Sequence, residues 1–316
     1  MTAPGTTTRI SEVLAARAFD VAATAVYASD LKLTPGPRLL MKRKDLQRRA
    51  VSRGQQPRSE KAAPPRDDLV RVAGLPAVEA LFRTAPARIE RLFFEDALKV
   101  ELGDICLALA KAHKPYRVVR ADELARIAGT SMHGGVAALA QPRPMLPFDA
   151  AEAEGWAKAG EPLLVLDGVG NPHNLGAIAR TAAFFGLQRL LLSSHPEQAL
   201  PSDAAYRVAR GGLEHVAVHR VERLPDALRR LRQSYLVVGA ALGDGKPPET
   251  WRDTPKPVAL VLGNEEEGLP RATLQQCDGV VTLPGSGLVQ SLNVAATAAI
   301  LIHDLLAGPA LRHRPH

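Results

Sequence analysis

Residues 163–193 read LLVLDGVGNPHNLGAIARTAAFFGLQRLLLS, and this stretch decides the fold class. It opens on an unbroken apolar run, Leu163–Leu166, and closes on another, Leu190–Leu192. Between them a glycine-rich loop leads into a helical pattern over Leu175–Phe185. A strand that is apolar at every position, rather than at every second one, has to be covered on both faces. That is the mark of a parallel sheet flanked by helices.

The same alternation continues toward the C-terminus. Apolar runs at Val216–Val218, Leu236–Ala240, Val258–Leu262 and Val280–Leu283 predict strands. Helical patterns lie at Asp203–Arg210, Leu224–Gln233, Pro270–Gln276 and Leu292–Leu306. Toward the N-terminus the elements are shorter. A helix at Leu75–Arg83, a strand at Ile89–Phe94, a helix before a strand at Tyr116–Val119, a helix near Asp122–Ala128 and a strand at Val136–Ala140 make a small α/β domain. The expected organisation is a basic, largely disordered extension over 1–68, with at most a short helix around Ile10, Val13 and Leu14. The small domain follows over 69–141, a linker opened by Pro142, Pro144 and Pro147 over 142–160, the parallel-sheet domain over 161–308 and a tail over 309–316.

Composition narrows the function classes. Of 316 residues 46% are hydrophobic and 23% charged, so most of the chain can bury a core. The net charge of +7 is local: between Arg38 and Arg66 stand ten basic residues against two acids, and the remainder is nearly neutral. This segment is too poor in apolar residues to offset its ordering entropy, and is either a solvated tail or an electrostatic arm for a polyanion. Two cysteines, Cys106 and Cys277, cannot build a disulfide framework or a zinc site. The N-terminal apolar stretches are broken by Arg17 and Asp20, which argues against a signal peptide. The segment Leu292–Ala307 contains Asn293, His303 and Asp304 and is too short to span a bilayer. The expectation is a soluble cytoplasmic protein with no membrane partner and no metal.

Three loops carry candidate chemistry, each where a strand ends or a helix begins, the usual ligand-binding edge of an open α/β sheet. In the first, Asn174 is placed to cap the following helix. That helix is apolar nearly all round, so Arg180 in its middle needs an anionic partner, either a structural ion pair or a ligand. Gly168-Val169-Gly170 is not a dinucleotide fingerprint, because the third glycine position falls on His173, itself read as a turn residue. This excludes a nicotinamide or flavin enzyme. The second loop, LVLGNEEEGLP over 260–270, presents Glu265, Glu266 and Glu267, of which at most one or two can point inward. The third, from Leu283, is LPGSGLVQSLNVA, a glycine-rich loop entering an apolar helix with Ser291 and Asn293 at its start. Free N–H groups at helix starts and bare glycine backbone suit anionic ligands.

NPHNLGAIARTA, LVLGNEEEGL and LPGSGLVQSLNVA, in this order, resemble the three motifs of the SpoU (TrmH-like) class of SPOUT RNA methyltransferases. The likeness covers roughly 161–308, and the small domain ending in HGGVAAL resembles that family's ribosomal-protein-like RNA-binding domain. Gly285 departs from the methionine usual in the third motif. The resemblance implies transfer of a methyl group from S-adenosyl-L-methionine to a ribose 2′-hydroxyl of rRNA or tRNA. It implies a C-terminal domain tied in a deep trefoil knot, and a homodimer with the pocket near the subunit interface. By position, Gly263, Leu283 and Leu292 would hold the cofactor, while Asn174, Arg180, Glu265, Ser291 and Asn293 would surround the reacting hydroxyl. The rival reading is a catalytically silent RNA-binding or ribosome-assembly factor on the same scaffold.

Overall fold

The computed structural model describes residues 69–243, 245–252 and 254–307. The basic segment 36–68, the expected helix near Ile10 and the tail 309–316 lie outside the described residues. The first sheet is built from β1 (Val70–Ala73), α1 (Leu75–Thr84), β2 (Ile89–Phe94), α2 (Gly103–Lys111), β3 (Tyr116–Val118), α3 (Ala121–Ala128) and β4 (Val136–Ala140). Its strand order is β1-β4-β2-β3, with β4 antiparallel to both neighbours and β3 parallel to β2. Strand β1, four residues long, was not expected from the sequence.

The second sheet follows from β5 (Leu146–Pro147), α4 (Ala150–Lys158), β6 (Leu163–Asp167), α5 (Pro172–Phe184), β7 (Arg189–Ser193), α6 (Asp203–Ala209), α7 (Gly212–His215), β8 (Ala217–Val221), α8 (Leu224–Leu231), β9 (Leu236–Ala240), β10 (Val258–Gly263), α9 (Arg271–Leu274), β11 (Gly279–Val281) and α10 (Val294–Leu301). Its order is β11-β9-β10-β6-β7-β8-β5, and every pairing is parallel. All five residues of β6 are buried. Leu164 and Leu166 enter the core formed with α5 and α10, and Leu163 and Val165 the core formed with α4 and α8. Alternate side chains of one strand thus supply both layers, which is why the run is apolar throughout.

Residues 142–160, expected as a linker, carry β5 at the sheet edge and α4 with Ala153 buried. The prolines end before Asp149, whose carboxylate accepts from Ala151 N at 2.8 Å and starts the helix. The small sheet does not stand apart. Val72, Val78, Leu81 and Leu92 share one continuous core with Leu175, Ile178 and Leu213. Polar ties cross the same seam. Arg88 meets the buried Glu214 carboxylate at 2.5 Å, and Arg71 meets Asp203 at 2.6 Å.

Candidate active site

The central pair, β6 and β10, runs in parallel register with Gly263 opposite Asp167, so the first and second loops leave the sheet side by side. Chain order reverses direction here: β7 and β8 lie to one side of β6, while β9 and β11 lie beyond β10. This is the switch point at which open parallel sheets form a crevice. The third loop starts at β11 on the far edge, yet it delivers α10 against α5. It therefore crosses from the β11 edge past the carboxyl ends of β9 and β10, with residues 284–293 exposed.

Helix α5 is capped by Asn171, not Asn174. Asn171 Oδ1 accepts from His173 N at 2.8 Å, and Pro172 follows in the first turn. Asn174 is thereby left free in the first turn, and its side-chain Nδ2 donates to Glu265 Oε1. Its Oδ1 accepts from Asn293 Nδ2 at 3.1 Å. Asn293 at the same time caps α10, accepting from Ala295 N at 2.8 Å. One hydrogen-bonded chain, Glu265–Asn174–Asn293, therefore ties all three loops together.

Of the three glutamates only Glu265 is part of this junction; Glu266 and Glu267 are exposed. The cause is Asn264. Its Oδ1 accepts from Glu266 N at 2.8 Å and Glu267 N at 3.1 Å, tightening the turn so that Glu265 faces Asn174. Its Nδ2 donates to Gly168 O at 3.0 Å and to Glu197 Oε2 at 3.2 Å, fastening the second loop to the first. Gln198 braces the first loop from the other side. This buried residue accepts at Oε1 from Gly168 N (3.0 Å) and Val169 N (3.2 Å), and donates to Val169 O (3.2 Å) and Ala199 O (3.1 Å). Below them Thr273 Oγ1 donates to the buried Asp167 Oδ2 at 2.6 Å. The sequence reading missed Gln198, Glu197 and Asp167. Asn264 stood inside a recognised loop, whereas a lone glutamine in SSHPEQAL carries no local signal.

The buried setting expected for Arg180 is not what the structure has. Helix α5 has an exposed face carrying His173, Arg180 and Phe184, so the guanidinium is in solvent and not buried among apolar neighbours. It makes no ion pair among the described residues and does not join the three-loop junction. Gly263 sits where the second loop folds back on itself. A Cβ there would lie 2.4 Å from Gly268 C and O and 2.6 Å from Leu269 N, so its bareness serves closure of its own loop. The bridge Asn264–Gly268 is that closure. Leu283 is half-buried against the core, while Ser291 and Leu292 are exposed beside Leu288 and Val289. Among the described residues, no group of three or more His, Cys, Asp or Glu is arranged to hold a metal, and no helix is long and apolar enough to cross a membrane.

A family model described as the SpoU rRNA Methylase family matches residues 161–303, and one described as RNA 2′-O ribose methyltransferase substrate binding matches residues 71–146. The chain is 34% identical over 243 residues to an uncharacterized tRNA/rRNA methyltransferase, YfiF, of Escherichia coli O157:H7, covering 76% of this chain and 68% of the relative. It is 34% identical over 235 residues to the 23S rRNA (guanosine-2′-O-)-methyltransferase RlmB of Ralstonia nicotianae, covering 73% and 92%. Among solved structures, an rRNA methyltransferase from Sinorhizobium meliloti superposes with a TM-score of 0.62 at 22% identity, over 79% of this chain and 89% of that one.

Proposed function

Since the chain belongs to the SpoU (TrmH-like) family of SPOUT RNA 2′-O-ribose methyltransferases, we propose that it methylates a ribose 2′-hydroxyl of ribosomal or transfer RNA with S-adenosyl-L-methionine as donor. The observation that carries this reading is the Glu265–Asn174–Asn293 chain, which gathers three sequence-distant loops at the switch point of the sheet. Such a junction is a means of holding a polar reactant, because each group is already oriented by a partner of its own.

The third loop fits the donor. Leu288, Val289 and Leu292 project apolar surface from a loop in which, among the described residues, the backbone N–H groups of Gly285 and Gly287 find no protein acceptor. Apolar side chains beside free backbone donors suit a purine with its hydrogen-bonding edge. When bound, the donor supplies an electrophilic methyl group on a sulfonium. Gly263, Leu283 and Leu292 would line its place, and the crossing of the third loop over β9 and β10 supports the deep trefoil knot of the family. Asn174, positioned by Glu265, would hold the ribose hydroxyl, with Ser291 and Asn293 completing the wall. A guanidinium keeps its proton at ordinary pH and is a poor base. Arg180 therefore acts as an electrostatic stabiliser of the developing alkoxide or of the adjacent phosphate. Because Arg180 faces outward, it would complete this arrangement in a homodimer, which the exposed Phe184 and Ile300 on α5 and α10 also favour.

The test is transfer of radiolabelled methyl from S-adenosylmethionine to bulk rRNA and tRNA, followed by alkaline hydrolysis, which 2′-O-methylated linkages resist. Asn174→Ala and Arg180→Ala should each lower transfer at least a hundredfold with donor binding retained. Donor and RNA binding without transfer by the unmodified protein would favour the silent RNA-binding factor.

A further inference from the structure

Arg210 occupies a backbone conformation that side chains avoid. It ends α6 with φ 45° and ψ 44°, in the left-handed region, and is followed by Gly211 at φ 92°. Glycine would be the residue of least strain at such a helix end, and two glycines stand immediately after it. A non-glycine side chain held in this strained conformation points to a task for that side chain. The turn is also pinned. A Cβ at Gly211 would lie 2.8 Å from Ala80 Cβ of α1, and one at Gly212 would lie 2.7 Å from Arg180 Cα. The turn is thus wedged between the small sheet's first helix and the middle of α5. Two residues span at most about 7 Å of chain, so the Arg210 backbone lies within that reach of the contact between Gly212 and Arg180. Both side chains are exposed, and neither has an acidic partner among the described residues.

We infer that Arg210 is a second phosphate-binding residue, which with Arg180 grips the backbone of the RNA strand at the seam between the small sheet and α5. The inference rests on RNA being the substrate and deepens that reading by naming a contact outside the three motifs. Two exposed guanidiniums carried by a helix end and the helix it packs on offer planar donors to phosphates of one strand, and such contacts position a strand without reading its sequence.

The experiment uses the full chain with labelled 23S rRNA transcript and bulk tRNA as probes, and measures affinity against salt concentration. Arg210→Ala should weaken binding about tenfold near 0.1 M salt and make the slope of log K against log salt shallower by roughly 0.7–0.9. Arg210→Gly should lose the same affinity while raising the melting temperature by about 2–4 °C through relief of the left-handed strain. A purely structural role also changes stability but predicts an unaltered salt slope in both variants, and that result would overturn the proposal. S-adenosylmethionine affinity should be unchanged in both variants; a loss there would reassign Arg210 to the donor's carboxylate and overturn the proposal. Wild-type RNA affinity and slope in both variants would also overturn it. Failure of the unmodified protein to bind either RNA would overturn the RNA reading, and the phosphate grip with it.

Discussion

Replacing Gln198 with methionine keeps length and volume but removes every hydrogen bond of the side chain that braces the first loop. The structure says which backbone groups would suffer. Val169 O keeps a partner, because Ala199 N donates to it at 2.9 Å. Gly168 N and Val169 N do not, since both donate to Gln198 Oε1 and Val169 is fully buried. A buried amide left without an acceptor costs about 1–3 kcal/mol, so the pair should cost about 2–6 kcal/mol. For a folded body of this size each kcal/mol lowers the melting temperature by about 2–4 °C, so a fall of at least about 4 °C is expected by scanning calorimetry. The same loop carries Asn171 and leads to Asn174, so methyl transfer should fall with it, while the more distant small sheet keeps its fold. A melting temperature within about 1 °C of the unmodified protein would show that water satisfies these amides, and would refute the role of Gln198 as a brace.

Three further outcomes are expected. Gly263→Ala should destabilise the protein even without ligand, because its new Cβ collides with the Gly268–Leu269 peptide; a normal thermal melt coupled with lost donor binding would instead locate the clash on the ligand. Arg88→Met leaves the Glu214 carboxylate buried without its cation and should cost about 3–5 kcal/mol in chemical denaturation, while adding Glu214→Leu should recover much of it; equal losses in the single and double variants would contradict the ion-pair account. Burial holds the His219 imidazole below its ordinary pKa of 6.5, so the folded protein favours the neutral ring. The unfolded chain takes up a proton first as pH falls, so the stability this group confers is present above about pH 6.5 and is lost progressively below it. Melting temperatures from pH 8 to 5.5 should decline less steeply in His219→Asn, and parallel declines would exclude this group as a cause.

Much of the fold was legible in local pattern. The runs at Ile89–Phe94, Val136–Ala140 and Leu236–Ala240 match their strands end to end, because apolar runs bounded by turn residues leave little choice of boundary. Helix ends were less legible. Asn174 read as a cap, yet the pair Asn171-Pro172 three residues earlier was the stronger start signal, and that displacement is what frees Asn174 for Glu265. The prolines at 142, 144 and 147 pointed to a linker and hid α4, whose own start is the acidic cap Asp149.

Three motifs in a fixed order, with near-continuous apolar strands between them, established a parallel α/β chain of a particular family and named Asn174, Glu265 and Asn293 as candidates, since residue order and periodicity are local properties. Which groups face one another is not local. Glu265 rather than its two neighbours points inward because Asn264 turns the loop. Arg180 stands in solvent because α5 buries one face against α6 and α10 and leaves the other open. Gln198 matters because it follows β7, the strand paired with β6, and so meets amides 29 and 30 residues away in the chain. Those facts follow from strand order and helix rotation, which long-range packing sets and no short window of residues contains.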